Sequence, residues 1–403
     1  MTRLLPSGAG SLLTGAALAC AALAGTAQAA HAASAAPRVA GAAAQVTGAV
    51  PAGAAAAPVD LRTVRLPWFW PNNYLYDISA AAPDSVWIAG VQGELIIPGP
   101  IPGTGTSLPG NPVVRRWNGT GWQEYPLRGY SGNGSMTNVT AVSPNDVWVS
   151  GTRYVNGTAA SPYLARHTGS GFDPVAPPEG VRGAGVRALP GGLFFTGEVG
   201  GEARIFRRSG DAWTPYPPTG LRSHALHART PDDVWIFGEV GASTGTVGTP
   251  TARHWNGTAW QTTPLPAFQS RYVTFTGAYA LGPDDVWTVG IDRVSGDPEG
   301  SVFLLHWDGA TWSRVAAPAG INEAGDMARD GTGALWVATH LIGTPNRPGL
   351  MRNAGQGWEL VPTPAVSGQQ NVLMRDLAAV PTSGKVWLMG SGSIGGPIVM
   401  TDG

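Results

Sequence analysis

One eight-residue motif recurs along this 403-residue chain and restricts its fold more than any other feature. It reads Pro-Asp-Asp-Val-Trp-x-x-Gly. Close copies run from Pro83 to Gly90, Pro144 to Gly151, Pro231 to Gly238 and Pro283 to Gly290. Relaxed copies run from Pro190 to Gly197, Gly331 to Thr339 and Pro381 to Gly390. The key aromatics are therefore Trp87, Trp148, Phe194, Trp235, Trp287, Trp336 and Trp387, spaced 61, 46, 41, 52, 49 and 51 residues apart. Repetition at that period means stacked copies of one supersecondary unit, because no single copy can bury its own apolar face.

A second motif lies between successive copies of the first. It reads Arg/His-Trp-Asn/Asp-Gly-x-x-Trp, as in Trp117–Trp122, Trp255–Trp260 and Trp307–Trp312, with weaker copies ending at Phe172, Trp213 and Trp358. Asn-Gly or Asp-Gly between two β-type runs marks a hairpin, since the turn needs positive φ. Each unit then holds four strands: an inner strand, the Val-Trp strand, the Arg/His-Trp strand and a short outer strand. Units of this size with four short strands predict an all-β, seven-bladed β-propeller with antiparallel blades. The last unit stops at Met400-Thr401-Asp402-Gly403 without its outer strand, and an orphan strand-like segment, Val59–Pro67, precedes the first unit. The N-terminal strand is expected to complete the seventh blade and so remove a free sheet edge.

The N-terminus has a different character. Arg3, an apolar stretch through Ala24 and two A-x-A sites near Ala29 and Ala32 predict a secretory signal peptide over residues 1–32. A lipid anchor on Cys20 is the alternative. Residues 33–57 are Ala, Gly, Val and Pro, too small to bury much area, and are expected to form a disordered spacer. The propeller is assigned to residues 58–403, and the protein is expected to be secreted and monomeric.

Composition removes several classes of function. The net charge is −1, charged residues are 13% of the chain, and Lys385 is the single lysine, so the basic footprint of a nucleic-acid binder is missing. One cysteine rules out a disulfide framework or a cysteine-based metal cluster. No apolar run past the N-terminus is long enough to span a bilayer. No His-x-His, His-Glu-x-x-His, Gly-x-Ser-x-Gly or phosphate-loop pattern is present, so no cofactor or metal is assigned.

Candidate site residues fall in two groups. Fourteen of the 16 Trp occupy the two motif positions, where they serve packing between sheets; Trp68 and Trp70 do not. They sit with Tyr74 and Tyr76 in Pro67–Asp77, the segment that crosses from blade 7 to blade 1 over the channel mouth. Two readings stand: an exposed platform, or a plug sealing that seam. The second group starts the inner strands about ten residues before each key aromatic: Asp77, Asn138, Asp326 and, with a one-residue gap, Asp376. Neighbouring carboxylates can do acid–base work or hold a divalent cation. Gly277 and Gly185 hold the same position, which equally suits a turn or left-handed backbone site. A basic rung, Arg116, Arg166, Arg207, His254, His306 and Arg352, is expected to stabilise blades, paired with the turn Asp. Long loops after the Val-Trp strands, chiefly Val91–Pro112, Arg153–Asn156 and Asp292–Glu299, lie on the face of the blade-to-blade crossings.

The two motifs resemble those of the secreted seven-bladed propellers common in actinomycetes, of the galactose-oxidase-like or kelch-like kind, over roughly residues 59–403. Asp308-Gly309-Ala310-Thr311-Trp312 is similar to a shortened Asp-box, the turn of sialidase-type propellers. The resemblance implies the scaffold only, since neither a copper ligand set nor a sialidase arginine triad can be placed. The leading expectation is a non-catalytic binding or scaffolding module for a polysaccharide, another cell-surface ligand or a protein partner. The alternative is a glycoside hydrolase or polysaccharide lyase using the carboxylates at the channel mouth.

Overall fold

The computed structural model of the chain describes residues 59–98, 105–155, 158–200, 202–241, 247–293, 301–392 and 396–403. The expected signal peptide and spacer, and residues 294–300 of the blade 5 loop, lie outside the described residues. The described chain is all β, in seven four-stranded antiparallel sheets and one added two-stranded hairpin. Blade 1 is typical: Tyr74–Ala82, Ser85–Gln92, Asn111–Trp117 and Trp122–Glu124 follow one another outward from the channel. The inner strands of neighbouring blades pack on each other around a complete ring, that of blade 7 against that of blade 1. This is a seven-bladed propeller.

Closure follows the expected route. Blade 7 is built from Val372–Ala379, Val386–Gly392 and Pro397–Thr401, and its fourth strand is Arg62–Thr63 from the other end of the chain. Arg62 pairs with Thr401 and Thr63 with Met400, and the Val64 amide donates to the Val399 carbonyl at 2.9 Å. Leu61 is buried beside Leu388 and Met400. The apolar interior is divided into seven clusters, one in each seam between neighbouring sheets. The seam of blades 1 and 2, for example, buries Trp87 from one side and Met136, Val147 and Phe172 from the other.

The motif residues explain each other. The key aromatic sits directly across from the basic rung, Trp235 opposite His254 and Trp287 opposite His306. The rings stack, with centroids 4.2 and 4.3 Å apart. The second turn Asp ties the pair together. Asp285 Oδ1 accepts from Trp287 Nε1 at 2.9 Å and lies 3.0 Å from His306 Nε2. In blade 2, Asp146 accepts from Trp148 Nε1 at 2.9 Å and Arg166 Nε at 2.8 Å. Arg116 and Arg352 keep the cation over the ring, at 5.7 and 5.3 Å, without that carboxylate pairing. The hairpins are looser than a two-residue turn. Only the Gly has positive φ (Gly119 92°, Gly257 90°, Gly309 93°), and the Asn or Asp before it closes a four-residue loop through its own side chain.

Asp285→Ala removes one acceptor shared by two donors and should cost about 1–3 kcal/mol of stability. Asp284→Ala leaves both bonds in place and should cost less. Chemical denaturation of the two variants checks the order.

Candidate functional site

The inner strands share an irregularity that the sequence does not announce. Each carries a β-bulge near its start, between Leu75 and Asp77 in blade 1, Met136 and Asn138 in blade 2, Phe275 and Gly277 in blade 5 and Met374 and Asp376 in blade 7. The residues ten before the key aromatic come directly after it. The turn or left-handed reading of this position is corrected: neither Gly185 nor Gly277 has positive φ. Gly277 is small because a Cβ there would stand 2.6 Å from the Met327 amide nitrogen of blade 6. The position lies where one blade meets the next.

The carboxylates at that position fasten blades together. Asp376 Oδ2 accepts from the Ile78 amide of blade 1 at 3.1 Å, and Asp77 Oδ2 accepts from the Val139 amide of blade 2 at 2.8 Å. Asn138 Nδ2 lies 3.5 Å from the same Asp77 oxygen. Asp77 and Asp376 are close enough for their charges to act on each other. Desolvation raises the pKa of both. Asp376 is pushed well above the usual carboxylate range, because the charges of Asp77 and Asp326 add to burial.

Asp326 has a different partner. Arg187 of blade 3 reaches across the channel to it, Nη1 to Oδ2 at 2.6 Å. Arg187 is opposite Phe194, a rung that holds Ser79, Thr140, His227 and Tyr279 in blades 1, 2, 4 and 5. This cross-channel strut was not read from the sequence. The available signal was the single charged residue on that rung. Asp77, Arg187, Asp326 and Asp376 line both a 460 Å³ hollow on the loop face and a 250 Å³ hollow on the turn face, so their layer divides the channel. His227 borders the turn-side hollow. Its Nδ1 accepts from the Ala280 amide at 3.0 Å, and burial lowers its pKa to about 3, so the ring stays neutral.

The aromatic segment resolves into two parts. Phe69 is buried in the seam of blades 7 and 1, against Ile78, Val113, Met389 and Val399, with the Arg115 guanidinium 3.9 Å from its ring centroid. Trp68 and Trp70 point the other way along the same extended stretch, 68% and 58% exposed. Phe69 is the plug and the two tryptophans are the platform. Their backbone is fixed from beneath: Arg115 Nη2 donates to the Trp68 carbonyl at 3.1 Å, and Trp70 N donates to Gln92 Oε1 at 3.2 Å. The Gly93 and Glu94 amides donate to Pro71 and Asn72, whose φ of 53° turns the chain. The rings of Trp68 and Trp70 are 5.2 Å apart at 60°. Tyr74 and Tyr76 are exposed beside them, as are Leu95, Ile97 and Leu108 on the added hairpin Leu95–Pro98 with Gly105–Leu108. Tyr76 also lines the 460 Å³ hollow. The structure thus gathers Asp77, Asn138, Asp326 and Asp376 on the channel floor, sets Tyr76 on its rim, and keeps Trp68 and Trp70 as an outward pair.

No protein-family model and no curated protein matches the sequence. Solved structures with a similar fold include that of YCF48 bound to a D1 peptide, at 12% identity and TM-score 0.52, covering 85% of this chain and 97% of that one. The GH74 xyloglucanase from Xanthomonas campestris is similar at 14% identity and TM-score 0.51 over 82% of this chain, which spans 53% of that enzyme. The WD40 repeats of RRP9 align at 10% identity and TM-score 0.50, covering 86% and 98%. At these identities the likeness establishes the propeller fold. Among the described residues, no helix is long and apolar enough to cross a membrane.

Asp376 makes stability depend on pH with a defined sign. Its folded pKa is raised, so its contribution is complete below the ordinary carboxylate range and is lost as pH rises through the folded value. Asp376→Asn keeps the shape, can still accept from the Ile78 amide and cannot ionise. The variant should fold and show a flatter fall in melting temperature above pH 4 than the parent, read by thermal denaturation across a pH series.

Proposed function

We propose that this chain is a secreted binding propeller that presents an aromatic platform on its loop face to a glycan or cell-wall polymer. The observation that carries the reading is the anchored exposure of Trp68 and Trp70. Solvent-exposed indoles are costly to present, and here a buried Phe69, a buried Arg115 and several backbone bonds hold them outward. Large aromatics offer area at little entropic cost when their backbone is already rigid. Tyr74 and Tyr76 extend the surface toward the channel mouth. Export rests on the N-terminal pattern of Arg3, an apolar run and A-x-A sites.

The carboxylates give less support to hydrolysis. A glycosidase keeps its two carboxyl groups about 5 Å or more apart so that the glycosidic bond sits between them. Asp77 and Asp376 instead accept backbone amides of the next blade, and Asp326 is held by Arg187. A protein ligand is the second reading, since the exposed Leu95, Ile97 and Leu108 adjoin the platform. YCF48 is a propeller of similar fold solved with a peptide bound, though the likeness extends to the fold alone.

Trp68→Ala with Trp70→Ala should weaken saturable binding to a polysaccharide or cell-wall preparation by at least tenfold, as expected when interface aromatics are truncated. The melting temperature should not move, because both rings face solvent. Binding that ignores both substitutions would remove the platform from the ligand site.

A further inference from the structure

In five blades the turn between the first and second strands holds motif acids, Asp84, Asp146, Asp233, Asp285 and Asp330 among them, and several of these pair with bases at the same end. The loop end holds a set of unpaired arginines. Arg182 and Arg222 begin inner strands, Arg293 ends a second strand, and Arg375 sits in the blade 7 bulge. All four are exposed, and none is ion-paired among the described residues. Elsewhere most arginines are committed: Arg115 and Arg352 to glutamates, Arg166 and Arg229 to motif aspartates.

Arg222, Arg293 and Arg375 line two hollows. The 460 Å³ hollow at the channel mouth has Arg293 and Arg375 on its wall and Arg187 in its floor. A second hollow of 450 Å³, between blades 3 and 4, has Arg204 and Arg222 on its wall. Both share Asn138 and Arg187, so they form one bilobed mouth. The acids present are mostly occupied. Asp326 is held by Arg187, Asp77 and Asp376 accept amides of the next blade, and Glu202 is 3.5 Å from Arg204. Glu323 in the first lobe and Glu198 in the second remain as the opposing charges, one per lobe. In the second lobe, Thr196 and the backbone around Gly185 and Gly197 complete a polar, side-chain-poor wall that a ligand can approach closely.

We infer that the bilobed mouth recognises anionic groups, and that the ligand is an acidic polysaccharide whose successive carboxylates fall to Arg293 and Arg375 in one lobe and Arg222 in the other. Guanidinium forks match carboxylates in two-point geometry, and unpaired ones pointing into a hollow keep that capacity. Two lobes with a common wall suit a polymer with repeated charge better than a single small anion. Tyr76, on the rim, connects the mouth to the exposed tryptophans, so the chain can stack outside and ion-pair inside. The inference rests on the ligand-face reading but not on Trp68 and Trp70.

The test compares polygalacturonate with its fully methyl-esterified form, which has the same backbone without charge. Calorimetric titration at low ionic strength should show saturable binding of the acid form and at least tenfold weaker binding of the ester. Binding should also weaken as salt is raised. Arg222→Met with Arg375→Met should abolish the preference for the acid form, whereas Arg62→Met, on the outer strand of blade 7, should leave it intact. Trp68→Ala with Trp70→Ala should lower affinity for both forms and preserve their ratio, so a failed platform and a failed anion site give different results. Unchanged melting temperatures exclude misfolding as the cause. Equal binding of acid and ester, no binding of the acid form, or equal binding of duplex DNA as a generic polyanion would overturn the inference.

Discussion

The inner strand of every blade has one edge with no fifth strand to pair with, and that edge faces the channel. Its amides would be buried donors without acceptors, a cost of a few kcal/mol each if left so. The protein meets this with side chains from the preceding blade. Asp376 takes Ile78, Asp77 takes Val139, Ser79 takes Ala141, Thr140 takes Ala188 and His227 takes Ala280. The same bonds that satisfy the edges therefore stitch the sheets into a ring. This fixes the chemistry of the channel. Asp77, Asp376, Ser79, Thr140 and His227 are thereby committed to joining one blade to the next.

Closure also explains the degeneracy of the repeat. A blade needs an aromatic for its seam, a turn acceptor for that aromatic and a cation or imidazole stacked on it. Blades 2, 5 and 6 supply all three, whereas in blade 4 Asp233 is taken by Arg229 and His254 and the buried Trp235 Nε1 has no hydrogen-bond partner among the described residues. Blade 3 uses Phe194, which has no N–H to satisfy, and its turn carries no aspartate. Blade 7 places Thr401 where the others have a base, and there the N-terminal strand completes the sheet. The copies that depart furthest from the motif are thus those whose partners changed with them.

The scaffold was legible in the sequence because every blade repeats it: the spacing, the hairpins and the missing outer strand of the last unit gave seven blades and their closure. The site was legible only in part. Trp68 and Trp70 stood out by falling off the motif, but whether they plug or protrude depends on strand alternation around Phe69, which only a fixed register decides. The carboxylates were found at the right position for the wrong reason. The turn before the key aromatic is one residue longer in blade 7, where Ala378 rather than a residue eight back faces Trp387, so counting back found Asp77 and Asn138 but needed a gap for Asp376. Arg187 could not be found by adjacency. It meets Asp326 across 139 residues of sequence and the width of the channel.

The distribution of charge follows from the same motif. The chain has 26 acidic and 25 basic residues, almost balanced. Each Pro-Asp-Asp turn places acids at one end of a blade, because the tryptophan and its stacked base need an acceptor there. The basic rung stands at the same end and pairs with those acids, while Arg222, Arg293 and Arg375 at the channel mouth have no ion-pair partner among the described residues. An inner strand of eight or so residues is about 26 Å long at roughly 3.3 Å per residue. Screening at physiological salt acts over about 8 Å. Charges at the turn end are therefore largely screened from the channel mouth. A ligand approaching that mouth meets these three arginines on a protein whose net charge is −1. Net charge describes the whole molecule, and by itself it does not reveal where unpaired charge is placed.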